Sequence, residues 1–98
     1  MIERRSTSYA LLGSGRLARH LQFYFESLNL PFRTWCRREH SLADLHALVS
    51  VSSHVLFAVR DDAIGDLSAP FLTSGRTLVH FSGATQVTGV HSAHPLMT

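Results

Sequence analysis

Lysine is absent from this chain, and all nine of its basic residues are arginine. Seven Asp and Glu residues offset them to a formal net charge of +2. No basic stripe marks a nucleic-acid footprint, so no nucleic-acid partner is expected. Cysteine occurs once, at Cys36. A single thiol excludes an internal disulfide and a cysteine metal cluster, and it suits a reducing compartment, so a cytoplasmic location is expected. Long apolar runs are also missing. The basic start Met1–Ser8 is not followed by an apolar run of signal-peptide length, and the apolar stretch after it breaks at Gly13. Nothing approaches the ~20 apolar residues of a membrane helix, so no membrane association is expected. Repeats and polar tracts are lacking too. With 45% hydrophobic and 16% charged residues in 98 positions, the composition fits one globular domain.

What is present alternates between two periods. Tyr9-Ala10-Leu11-Leu12 is an apolar run that stops at glycine, as a buried parallel strand would. Leu17, Leu21, Tyr24, Phe25 and Leu28 then recur at helical spacing, with Arg16, Arg19, Gln22 and Glu26 on the other side. Tyr24 and Phe25 are expected in the core, and Phe23 against a partner domain. Asn29 can end this helix in a left-handed turn, and Pro31 prevents its continuation. Phe32–Cys36 reads as a second strand. Ser41 and Asp44 resemble a capping box opening a helix whose apolar face is Leu42, Leu45, Leu48 and Val49. Val55–Val59 is apolar throughout, as a strand covered on both faces should be. Asp61 or Asp62 can cap a third helix bearing Ile64 and Leu67, and Pro70 interrupts its run toward Leu72. Thr77–Phe81 is a fourth strand and Val90–Ala93 a short fifth.

This order predicts an α/β fold: a doubly wound, mainly parallel Rossmann-type sheet in three α/β/α layers. Right-handed crossovers favour strand order 2-1-3-4-5, with a switch point between the first and third strands.

Gly13-Ser14-Gly15-Arg16-Leu17-Ala18 matches G-x-G-x-x-[GA] at the strand-to-helix junction. Gly13 would allow the tight turn, Gly15 would let a pyrophosphate approach the backbone, and Ala18 would let the helix lie close to the sheet. The exposed amides and the helix dipole favour an anion there. Without a ligand, the same residues are simply a connecting turn. Arg37 and Arg38 follow the second strand, where an NAD site carries Asp or Glu. Glu39 comes too late for that role. Arginine here can pair with the 2′-phosphate of NADP, so NADP(H) is expected over NAD(H); the alternative is a solvated basic turn. Val59, Arg60 and Asp61 follow the strand across the switch point and should lie beside the cofactor. His80, Ser82, His91 and His94 lie at or beyond the end of the fourth strand, where ligands bind in such sheets. Ser82 and His94 are the candidate catalytic groups. His80 could equally be a hydrogen-bonded core residue. No histidine spacing suggests a metal site. Residues 1–8 are expected to be a flexible N-terminal segment and 9–98 the Rossmann-like NADP-binding domain.

Taken together these stretches resemble the Rossmann-like predicted NADP oxidoreductases related to pyrroline-carboxylate reductase and, more distantly, prephenate dehydrogenase. The similarity runs from Tyr9 to Thr98, through Gly13–Ala18, Trp35–Arg38, Phe57–Ile64, His80–Ala84 and His94–Thr98. Arg60 stands where relatives often have proline. Gly83 to His94 is short for the family, so a helix is expected to be missing there. The resemblance implies hydride transfer between a nicotinamide and a small carbonyl, imine or carboxylate-bearing substrate, and a homodimer. It also implies a helical substrate and dimerisation domain after His94-Pro95-Leu96. The chain stops at Thr98, so the cofactor domain alone is expected, inactive without its partner. A non-catalytic nucleotide-sensing or interaction module is the alternative.

Overall fold

Four short strands with three intervening helices, and a fifth strand after them, follow the expected alternation. The computed structural model describes residues 7–93; His94 and most of the expected flexible N-terminal segment lie outside them. The elements are β1 (Tyr9–Leu12), α1 (Arg16–Ser27), β2 (Phe32–Trp35), α2 (Leu42–Ser50), β3 (His54–Phe57), α3 (Asp61–Ser68), β4 (Thr77–His80) and β5 (His91–Ser92), with a 3₁₀ turn at Ala69–Phe71. All neighbouring strands pair in parallel, in the order β2-β1-β3-β4-β5. This is a small Rossmann-like α/β domain.

The side chains of β1 divide between two cores, as the alternation of a strand requires. Ala10 and Leu12 join Leu45 and Val49 of α2, Leu67 of α3, and Phe57 and Leu78 on one face. Leu11 joins Ala18, Leu56 and Ala58 on the other, beneath Leu17, Leu21 and Phe25 of α1. Two helices thus cover one face and a single helix the other. Right-handed crossovers dictate this arrangement, because the chain moves one way from β1 to β2 and the other way afterwards. The chain from Phe81 to Val90 joins β4 to β5 without a helix, as its shortness predicts.

The structure corrects several local expectations. Tyr24 is 57% exposed and Leu28 65% exposed, so neither is core. Helix α1 turns Ala18, Leu21 and Phe25 to the sheet; at 100° per residue that leaves Tyr24 on the margin of the stripe. Leu28 sits beyond the last helical residue, at the C-cap. Leu42, at the start of α2, is likewise exposed. Neither Asp61 nor Asp62 caps α3. Strand β3 ends at Phe57, the chain turns earlier than expected, and Arg60 takes the N-cap without a side-chain hydrogen bond. Both carboxylates instead sit in the first turn, where the helix dipole favours negative charge. Asn29 does adopt the left-handed conformation, with φ 60°. The Ser41–Asp44 capping box forms in both directions, and hydrogen bonding from the Ser41 amide, then from its hydroxyl, holds the Asp44 carboxyl below its ordinary value.

The amino-terminal edge of the sheet is tied by side chains. Ser8, placed in the N-terminal segment by sequence, donates its amide to Ser53 Oγ at 2.8 Å and accepts from the amides of Ser53 and His54. The Arg76 guanidinium donates to the carbonyls of Val49, Ser50 and Ser74 at 3.3, 2.8 and 3.1 Å. Two of these carbonyls, those of Val49 and Ser50, lie in the last turn of α2, which a cation at that end stabilises. Arg76→Met should therefore lower stability by about 1–2 kcal/mol, less than a fully buried charge-assisted set because water can reach part of it. Urea unfolding, with an unchanged denaturant slope, is the measurement.

Candidate functional site

At the carboxyl ends of β1, β2 and β3 lies a cavity of about 720 Å³. Three loops meet there because the three strands end in register: Leu12 pairs with both Trp35 and Phe57. The glycine turn contributes Gly13, Ser14, Gly15, Arg16 and Leu17. The end of β2 contributes Trp35, Cys36, Arg37 and Arg38, and the link into α3 contributes Ala58, Val59 and Arg60. The structure thus brings together every residue expected at the cofactor except Asp61, which is exposed in the first turn of α3.

The two glycines act differently. Gly13 has φ +133°, and a Cβ there would stand 2.0 Å from the Ala58 carbonyl oxygen. Its amide donates to Trp35 O at 2.8 Å, so the residue is wedged between the ends of two strands. Gly15 has ordinary extended backbone at φ −82°, and a Cβ on it would meet nothing within 4 Å. Gly13 serves the fold, while Gly15 leaves room in the cavity. Gly15 is also the N-cap of α1, with no side-chain cap and no acidic residue in the first turn. The first amides of that helix therefore lack side-chain partners at the cavity.

The β2–α2 turn is built by its own atoms. Trp35 Nε1 donates to Ser41 O at 2.8 Å, and the Cys36 amide donates to His40 Nδ1 at 3.1 Å. The amides of Glu39 and His40 both donate to Cys36 O. Arg37 and Arg38 project from this turn, exposed, and among the described residues neither makes a hydrogen bond or ion pair. Cys36 is half-buried and lines the cavity, rather than being a plain core residue. Arg60 pairs at 3.1 Å with Asp62, both side chains largely exposed, so the pair adds little to stability.

Ser82 and His80 do not line this cavity. His80 is 1% exposed, and its Nδ1 accepts from the Ser82 amide at 3.1 Å. The buried Ser82 hydroxyl accepts from the amides of Ala84 and Thr85, fixing the turn after β4. His91 is exposed on β5, and His94 lies outside the described residues. One grouping escaped the sequence reading: donor atoms of Cys36, Glu39 and His40 all lie within 4.8 Å of one another. The run C-x-x-E-H was its only signal, and it needed the tight turn to become a cluster.

Comparison with known proteins finds no family model, no curated protein and no solved structure that matches this chain. Function therefore rests on the site itself.

Gly13→Ala should be destabilising by roughly 2–5 kcal/mol, combining a backbone clash with a strained positive φ. Gly15→Ala should cost less than about 1 kcal/mol: the added Cβ meets nothing, and alanine's poorer fit at an N-cap is offset in part by the reduced freedom of the unfolded chain. Thermal and urea unfolding of the two variants side by side check the contrast.

Proposed function

We propose that this chain is the NADP(H)-binding domain of an oxidoreductase. The observation that carries the reading is the meeting, in one cavity, of an uncapped helix N-terminus with two arginines that have no partner among the described residues. The helix start suits a pyrophosphate, with Gly15 leaving its approach open. Arg37 and Arg38 suit a 2′-phosphate, and no carboxylate lines the cavity to claim the two ribose hydroxyls in its place. Val59, Arg60, Ala63 and Leu67 would form the wall against which the bound molecule rests. The dinucleotide would supply the hydride chemistry toward a small carbonyl, imine or carboxylate-bearing substrate, and the protein's part is binding and orientation. Membership of the reductase family named above, and a homodimeric state, belong to the same proposal.

A second reading, dinucleotide binding without turnover, draws on the placement of Ser82 and His80. Both are occupied by hydrogen bonds away from the cavity. Substrate-dependent oxidation of NADPH favours the first reading, and tight binding with no oxidation over a carbonyl and imine panel favours the second.

NADPH should bind at least about tenfold more tightly than NADH, a difference of about 1.4 kcal/mol. Calorimetry with both nucleotides measures it; equal affinities would remove the role given to Arg37 and Arg38. Replacing both arginines by alanine should erase the preference and leave NADH affinity unchanged. Gly15→Val should fold normally and lose both nucleotides, because its branched side chain would fill the space the pyrophosphate needs. Full affinity in a folded Gly15→Val protein would reduce the glycine motif to a connecting turn.

A further inference from the structure

The β2–α2 turn carries three donor groups of different chemistry within five residues: a thiol, a carboxylate and an imidazole. We propose that Cys36, Glu39 and His40 form a binding site for a borderline divalent cation, zinc foremost. Cys36 also lines the cavity described above, but the site requires only the turn and does not depend on the dinucleotide reading.

Geometry is the first support. The donor atoms of the three residues lie within 4.8 Å of one another, and Cys36 Sγ is 3.7 Å from Glu39 Oε2. Two such ligands on one tetrahedral zinc ion stand about 3.5 Å apart, given the usual bond lengths. The thiol and carboxylate are thus already near ligating separation, and the backbone need not move to bring them there. The Glu39 and His40 amides both donate to Cys36 O, which fixes where the three side chains start.

Donor chemistry is the second support. A thiolate with an imidazole selects zinc or a similar borderline ion over magnesium or calcium, which prefer all-oxygen sets. The thiol now donates its proton to Glu39, and a cation would take that proton's place between the two groups. Binding therefore releases the Cys36 proton, and affinity must rise with pH. His40 is committed to a different bond, accepting at Nδ1 from the Cys36 amide, which leaves its proton on Nε2. It can ligate by giving the Nδ1 lone pair to the ion, or by moving its proton to Nδ1 and using Nε2. Either route frees the Cys36 amide, and water can reach this half-buried turn to take its place. Asp44, held in the capping box, is near enough to His40 to interact with its charge, while Arg37 and Arg38 between the ligands in sequence add positive charge. Three ligands with a competing hydrogen bond make an exchangeable site with an open position, unlike a closed four-ligand structural one.

Cobalt titration of the full chain, reduced and free of any affinity tag, tests this directly. Cobalt bound by a thiolate gives a near-ultraviolet charge-transfer band that histidine and carboxylate ligands do not. The expected result is a band saturating at one cobalt per chain, displaced by zinc and growing stronger with rising pH. Cys36→Ser should abolish the band, and Glu39→Gln should weaken zinc binding by about tenfold or more. No charge-transfer band in the parent protein overturns the proposal. So does zinc affinity that is the same in the parent and in Cys36→Ser, which would assign the ion to other histidines. Circular dichroism establishes that the variants are folded, and the parent's own band decides the question without them.

Discussion

The carboxyl end of the sheet depends on how closely Gly13 passes the carbonyl of Ala58. A single Cβ at Gly13 would stand 2.0 Å from that oxygen. Because none is there, β1 ends flush between β2 and β3, with Gly13 bonded to Trp35 O and the Ala58 amide bonded to Leu12 O. Three loops then open at one level instead of at staggered heights. The start of α1, the arginine turn and the entry to α3 face a common space for that reason. The glycine motif is therefore two requirements written close together. One concerns protein packing, and the other concerns the room left at Gly15.

The fold was legible because its determinants are local or follow from chirality. Apolar runs of strand length, helical periods, the capping box at Ser41 and Asp44, and the left-handed Asn29 are all short-range signals that the structure repeats. Strand order follows from the handedness of the crossovers. The misses share a different cause. Tyr24, Leu28 and Leu42 are apolar and correctly spaced, but burial also needs something opposite them, and four-residue strands offer only a narrow surface. Strand ends and the N-cap of α3 shifted by one or two residues, because where a strand stops depends on its neighbours and not on its own composition.

The candidate site was legible to a similar depth. Residues Gly13 to Leu17, Arg37, Arg38, Val59 and Arg60 share a cavity because each follows a strand at the same end of a parallel sheet, and topology alone requires that. Side-chain engagement is what sequence could not display. Ser82 and His80 have the right chemistry at the right end of β4, yet His80 Nδ1 and Ser82 Oγ accept backbone amides of the turn beyond it. The cluster at Cys36, Glu39 and His40 reverses this case: ordinary residues in sequence, drawn together by a turn only five residues long.

The two ends of the sheet are unequally bound, and that inequality shapes the internal motions of the domain. At the amino-terminal edge, Ser8, Ser53 and Arg76 join three separate chain segments through side-chain bonds to backbone atoms. At the opposite end, beyond the backbone bonds of Gly13 to Trp35 and of Ala58 to Leu12, side chains bond mainly within their own loops. Opening of the native state should start from the loop end and travel toward the stitched end, as openings in general begin where tertiary bonding is sparse. The amides of Ser53 and Thr77 would then exchange with solvent far more slowly than those of Ser14 or Arg38. Such a domain has a hinge-like gradient of rigidity without any hinge: firm at the base, and compliant where a ligand would enter.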